Sequence, residues 1–181
     1  MNVLILDCGE GIKGECLREG YVNKIDVLSY SHGIAQPITG DPDKPKRTAG
    51  KPNHQDFTVT KHFDLSSCFL TQYCNTATVI PTVRLTVGEA EDQKVSPLIT
   101  YQLSNALVSS ISVGGAGGDG KPQETVTFNY AKIQWDYTGE KAPLAGNGPQ
   151  PQNNPSNPSA NLVPDVAKGQ AKWNLETNKA E

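Results

Sequence analysis

Thr125-Val-Thr-Phe-Asn-Tyr-Ala-Lys-Ile-Gln-Trp-Asp-Tyr137 decides the fold class. Successive side chains of a strand point to opposite faces, so alternation of apolar and polar residues marks a half-buried strand. Val126, Phe128 and Tyr130 share one parity; Ala131, Ile133, Trp135 and Tyr137 share the other. The switch at Tyr130–Ala131 predicts a β-bulge within one long strand.

Working outward, Gly114–Pro122 reads as a glycine-rich hairpin connection, preceded by Leu98–Val113 as one long strand, or two with a break near Asn105. Val83, Leu85 and Val87 alternate with Thr82, Arg84 and Thr86, and Gly88–Pro97 reads as a polar connection. Phe57, Val59 and Phe63 fall on one face of another strand, with Thr58, Thr60 and His62 opposite. Val3–Asp7 and Ile25–Tyr30 complete the strands. Asp64 is placed to cap a single helix from Leu65. Its apolar stripe is Phe69, Leu70, Tyr73, Cys74 and Ala77. Gln36–Pro52, with four prolines, reads as a long loop, and loops of that length in compact domains are usually functional or mobile. The sum is mainly antiparallel β with a single helix; six or seven strands of this length close into a barrel or pack as a sandwich, and one helix is enough to cover an open face or end.

The alternation ends near Gly139. Residues 139–181 hold six of the 13 prolines and run GNGPQPQNNPSNPSANLVP. Such composition buries too little apolar surface to offset the entropy of ordering. We therefore expect a barrel domain over 1–138 and a flexible Pro/Asn/Gly-rich tail over 139–181, in which Trp173–Leu175 is an apolar patch able to dock.

The net charge of −3 lacks the basic excess that a nucleic-acid binder uses against phosphates. No apolar run approaches the roughly 20 residues that span a bilayer. Met1–Glu10 has no basic n-region, so no cleavable signal peptide is expected. Cys68 and Cys74 lie six residues apart on the helix, too far for a disulfide. Cys8 and Cys16 flank a glycine-rich turn and could face each other across it, although a reducing compartment favours free thiols.

Sites for chemistry are scarce. Gly115-Ala-Gly-Gly-Asp-Gly-Lys121 approximates a phosphate loop, but Pro122 stands where Ser or Thr must follow the lysine, and a strand follows instead of a helix. His32, His54 and His62 with the four cysteines lack the spacings of a zinc site. Cys74 lies on the helix stripe, where a thiol is inert. Ser109 and Ser110 lack a nucleophile elbow. No enzyme activity, cofactor or metal is expected. A nucleotide site at Gly114–Pro122 stands as a third reading, which absence of ATP binding removes.

Four ordered segments resemble the haemolysin-coregulated (Hcp) family of type VI secretion. They are Gly11-Ile-Lys-Gly-Glu15; Ile25-Asp-Val-Leu-Ser-Tyr-Ser-His-Gly-Ile-Ala-Gln36; Gln55-Asp-Phe-Thr-Val-Thr-Lys61 with Asp64, Ser67 and Leu70; and Leu107–Ser112 with Gly114, Gly115 and Glu124–Tyr137. Cys8–Gly11 is expanded relative to the family, Val83–Val87 differs from its common pattern, and Gly88–Pro97 is longer and more acidic. The resemblance implies a two-sheet barrel with one helix, and protomers that form hexameric rings stacking into a hollow tube. Contractile sheath, spike and baseplate proteins are its implied partners, small effectors its implied cargo. Assembly in the cytoplasm and secretion through the type VI system are implied too, with no nucleic acid bound and no membrane insertion. The Gln36–Pro52 loop is expected to reach a neighbouring protomer, with a floppy surface loop as the alternative. The expected ring or stacking contacts are Gln36, Pro37, Thr39, Gly40, Asp41, Lys46, Arg47, Gly115, Gly117 and Asp119. A second reading is a secreted effector whose tail supplies a binding or toxic activity.

Overall fold

A computed structural model describes residues 2–39, 48–118, 120–138 and 168–180. Fourteen strands and one helix are found among them. They are β1 (Asn2–Asp7), β2 (Ile25–Asp26), β3 (Ser29–Ser31), β4 (Ile34–Ala35), β5 (Ile38–Thr39), β6 (Thr48–Ala49), β7 (Asn53–His54) and β8 (Phe57–His62), then α1 (Leu65–Thr76), then β9 (Ile80–Glu91), β10 (Lys94–Gly114), β11 (Gln123–Asn129), β12 (Lys132–Thr138), β13 (Lys168–Asn174) and β14 (Lys179–Ala180).

Every pairing is antiparallel, and β10 organises them. Its first half lies between β9 and β12 in one sheet, ordered β2-β1-β9-β10-β12-β13-β14; its second half pairs β11 in another, ordered β10-β11-β8-β3. The strand turns from one sheet to the other at Asn105, whose φ of 50° lies in the left-handed region. Asn tolerates that region better than other residues bearing a Cβ.

The partner chain must turn at the same corner. The stretch Thr125–Tyr137 is therefore two strands, with Tyr130 and Ala131 between them, and the Ala131 N–H donates to the Ser104 carbonyl at 3.1 Å. This corrects the expected bulge: the parity switch records a change of sheet. A second corner lies across the body. Val27 donates to the Leu4 carbonyl of β1 and Leu28 to the Thr60 carbonyl of β8, at 2.9 and 2.8 Å. Two sheets meeting at two corners give the barrel-like form expected, although no continuous ladder closes the ring among the described residues.

Leu6, Leu85, Leu103 and Ile133 of the first sheet face Phe57, Val59, Val126 and Phe128 of the second, all buried. A smaller cluster, Val3, Ile5 and Cys16 with Tyr21 and Val95, lies on the other face of β1. Cys8 belongs to the main core and Cys16 to this second cluster, so the two thiols do not pair; all four cysteines are free. Gly14 is required where that covering segment meets β2, because a Cβ there would come 2.4 Å from the Lys24 carbonyl oxygen.

Asp64 caps α1 as expected, accepting from the Ser66 N–H at 2.9 Å in a capping box with Ser67. The buried face differs from the expected stripe. Ser66, Ser67 and Leu70 are enclosed, Phe69 is exposed and Ala77 is the left-handed C-cap. Lys61, not Phe63, continues the inward parity of Phe57 and Val59, because β8 ends at His62 and leaves Phe63 exposed. The polar connection expected over Gly88–Pro97 is strand on both sides of a tight turn at Asp92, φ 53°.

The largest departure concerns the tail. Lys168–Asn174 pairs with Lys132–Thr138 over its full length, and Trp173 packs on the main core. Lys168–Ala180 falls in the stretch expected to be mostly extended or flexible; here aromatic burial and a full ladder offset the entropy that composition alone makes prohibitive. The low-complexity stretch 139–167 lies outside the described residues.

Candidate assembly surface

Three surfaces stand out once the fold is built. The first is an arm. The expected loop Gln36–Pro52 is in part a two-step ribbon in which Ile34–Ala35 pairs with Asn53–His54 and Ile38–Thr39 with Thr48–Ala49. Pro37 accepts the Gly50 N–H at 2.8 Å, and the Gln36 side-chain amide donates to the Gly50 carbonyl across the same ribbon. Ile34 and Ile38 are exposed, 51% and 62%. Their apolar side chains stand open on a narrow ribbon, where contact with another chain would cover them. Gln36, Pro37 and Thr39 are thus brought together; Gly40, Asp41, Lys46 and Arg47 lie outside the described residues.

The second surface is the β10–β11 connection. Gly115 lies against Pro122, where a Cβ would meet the proline ring at 3.4 Å, and Gly117 is open on all sides. Asp119 lies outside the described residues. The Pro122 carbonyl accepts the Phe63 N–H at 2.8 Å, which joins this turn to the entry of α1. The arm leads into β8 at Phe57, and the glycine turn meets β8 at His62 through the Gln123↔His62 pair. The two groups of expected contact residues therefore lie at opposite ends of β8, about 17 Å apart along the strand.

The third surface was not found from the sequence. The outward residues of the first sheet line up across its strands in polar rows. One row is Asp7, Arg84, Gln102, Gln134 and Lys172; the next is Thr100, Asp136 and Gln170, with Thr86 buried at its β9 end. Arg84 donates to Gln102 at 2.8 Å, Gln134 and Gln170 both donate to Asp136 at 2.7 and 2.5 Å, and Lys24 pairs with Asp7 at 2.9 Å. The rows floor a shallow depression of about 510 Å³. Each strand shows only polar alternation in isolation; the register between strands turns these residues into a continuous wall.

Among the described residues no three His, Cys, Asp or Glu side chains gather as metal ligands, and no helix is long and apolar enough to cross a membrane. The Cys8 thiol is pushed well above its ordinary value by burial first and by neighbouring Asp7 second, and Cys16 is raised by burial. Both conditions suppress the thiolate that reactivity requires.

The fold of this chain is shared with solved type VI secretion proteins. A solved structure of a type six secretion system protein superposes with a TM-score of 0.79 at 23% identity over 100% of both chains. Hcp1 from Salmonella typhimurium gives 0.71 at 19% over 99% of both, so the shared fold includes the C-terminal strands. Protein hcp1 of Pseudomonas aeruginosa is 36% identical over 137 residues, which cover 76% of this chain and 84% of that protein. Residues 6–137 match the family described as type VI secretion system effector, Hcp, and the chain belongs to that family of β-rich, secreted tube proteins.

Proposed function

We propose that this chain is the structural subunit of a type VI inner tube, forming hexameric rings that stack head to tail. One observation carries the reading: the arm and the glycine turn stand at opposite ends of β8. A contact between two different patches is heterologous, and repetition of it closes rings or propagates stacks. The arm residues Gln36, Pro37, Thr39, Gly40, Asp41, Lys46 and Arg47 contact a neighbouring protomer. Gly115, Gly117 and Asp119 supply the complementary end, where the absence of bulky side chains admits a close approach of backbone.

The polar rows of the first sheet suit the wall of a channel. Amide, hydroxyl and paired charged groups hold water, and a surface without large apolar patches lets small effector proteins pass without adhering. Sheath, spike and baseplate proteins are the remaining partners. Assembly takes place in the cytoplasm, before the tube is expelled.

Light scattering after gel filtration of the reduced protein, with negative-stain images of the same peak, tests the proposal. Six copies in an annulus are expected. A monomer at high concentration, with no rings on the grid, overturns it.

A further inference from the structure

Both tryptophans of the chain stand against one histidine. Trp173 of β13 lies 5.9 Å from His54 between ring centroids, nearly parallel at 19°, and Trp135 of β12 lies 6.3 Å away. His32 completes the group, 6.1 Å from His54 and from Trp135, 5.7 Å from Phe57 and 5.9 Å from Tyr130. Its Nε2 is 2.6 Å from the Tyr130 hydroxyl, which donates to the Gln55 carbonyl at 3.1 Å. The His54 Nδ1 and Trp173 Nε1 are both enclosed and both lack a hydrogen-bond partner.

Among the described residues, a proton on either imidazole would find no counter-ion. Of the titratable groups around the pair, Tyr130 is neutral, its phenol held above the ordinary value by burial and then by Asp56. Asp56 spends its oxygens on Ser109 and Asn129, both at 2.8 Å. No carboxylate among the described residues bonds to His32 or His54. Aromatic faces attract a cation, but they do not replace its hydration, and a second proton would meet the first 6.1 Å away. Burial accordingly lowers the pKa of both histidines, and His54 lowers that of His32 further.

The surrounding groups differ in how firmly they are held. Phe57 and Tyr130 are core residues. Trp173 arrives on a strand whose ladder to the body is with β12 alone, its other neighbour being the two-residue β14. Lifting this hairpin brings water to the two enclosed polar atoms that have no partner, His54 Nδ1 and Trp173 Nε1.

We propose that proton uptake at the His32–His54 pair lifts the β13–β14 hairpin off β12. The C-terminal strands then act as an acid-sensitive clasp, closed at neutral pH. Opening it uncovers Trp135 and the β12 edge, Lys132–Thr138.

The chain carries its own probe, since both tryptophans report on His54. Tryptophan emission of the full-length protein should change reversibly between pH 8 and pH 5, with a midpoint below the ordinary histidine value of about 6.5. Far-UV circular dichroism should keep the body's signal. Amide exchange at 168–174, corrected for intrinsic rates, should become at least tenfold faster at pH 5 than at pH 8. His32→Gln with His54→Gln should abolish the transition, and His62→Gln should leave it in place. Equal protection of 168–174 at both pH values overturns the proposal, even if emission is quenched. So does an emission change that survives the double substitution or disappears with His62→Gln.

Discussion

The Lys61 ammonium and the Glu124 carboxylate meet at 2.8 Å with both side chains fully enclosed, directly beneath the first turn of α1. Lys61 also reaches Asp64 at 2.7 Å and Ser67 at 3.1 Å, while Ser67 donates to Glu124 at 2.9 Å. The helix cap and the ion pair are one network. It fixes α1 to β8 and β11 at a single register, because Ser67 of α1, Lys61 of β8 and Glu124 of β11 each bond to the other two.

Removing one partner of a buried pair leaves the other charge without water or counter-ion. Lys61→Met should therefore destabilise the fold by roughly 3–5 kcal/mol. Replacing both, as Lys61→Met with Glu124→Leu, should restore much of that loss, because the desolvation cost disappears with both charges. Urea unfolding of the two variants checks this. Equal losses in the single and double variants would show that packing and not charge carries the effect.

The four thiols should separate by reactivity in the native protein. Cys68 is exposed on α1, Cys74 is half-buried, and Cys8 and Cys16 are enclosed in two different clusters. With an aromatic disulfide reagent, Cys68 should react first and Cys74 more slowly, and the remaining two only on denaturation. Fast modification of Cys8 or Cys16 in the folded protein would contradict their placement.

Much of this architecture was legible in the sequence, for identifiable reasons. Val126 and Phe128, or Phe57 and Val59, alternate because one face of each strand meets a core, and alternation survives without knowledge of the partner strand. A break near Asn105 was one of two readings of that stretch, and it is there that β10 changes sheet, on a left-handed φ. Lys61 was illegible: a lysine at an inward position reads as an error of parity until Glu124, 63 residues away, supplies its charge partner. The polar rows and the His32–His54 cluster were hidden for a related reason. They exist only through strand register, and register is set by the whole sheet. Trp173 was seen as an apolar patch able to dock, but its place on β12 depends on a ladder that proline-rich composition concealed.

Asn105 offers a test of the corner itself. Its φ of 50° suits Asn and Gly and strains a β-branched side chain. Asn105→Val should cost about 1–2 kcal/mol, and Asn105→Gly should be close to neutral. Thermal unfolding of both variants distinguishes a conformational requirement from a side-chain contact; equal losses would point to a contact made by the amide.

The C-terminal hairpin makes the last prediction. A tail that merely trails from the body contributes nothing to stability, whereas Trp173 packs on the main core and its strand pairs with all of β12. Trp173→Ala should cost about 2–3 kcal/mol, below the usual range for a fully buried tryptophan because this ring is only half-buried. Deleting 168–181 should cost more, since the ladder is lost as well. It should also raise the tendency to associate, because β12 becomes an open edge with Trp135 beside it. Calorimetry and light scattering of the truncated chain read the two effects separately. An unchanged melting temperature would return these residues to the status of an appendage, and a stable, non-aggregating truncation would mean that another part of the chain can cover β12.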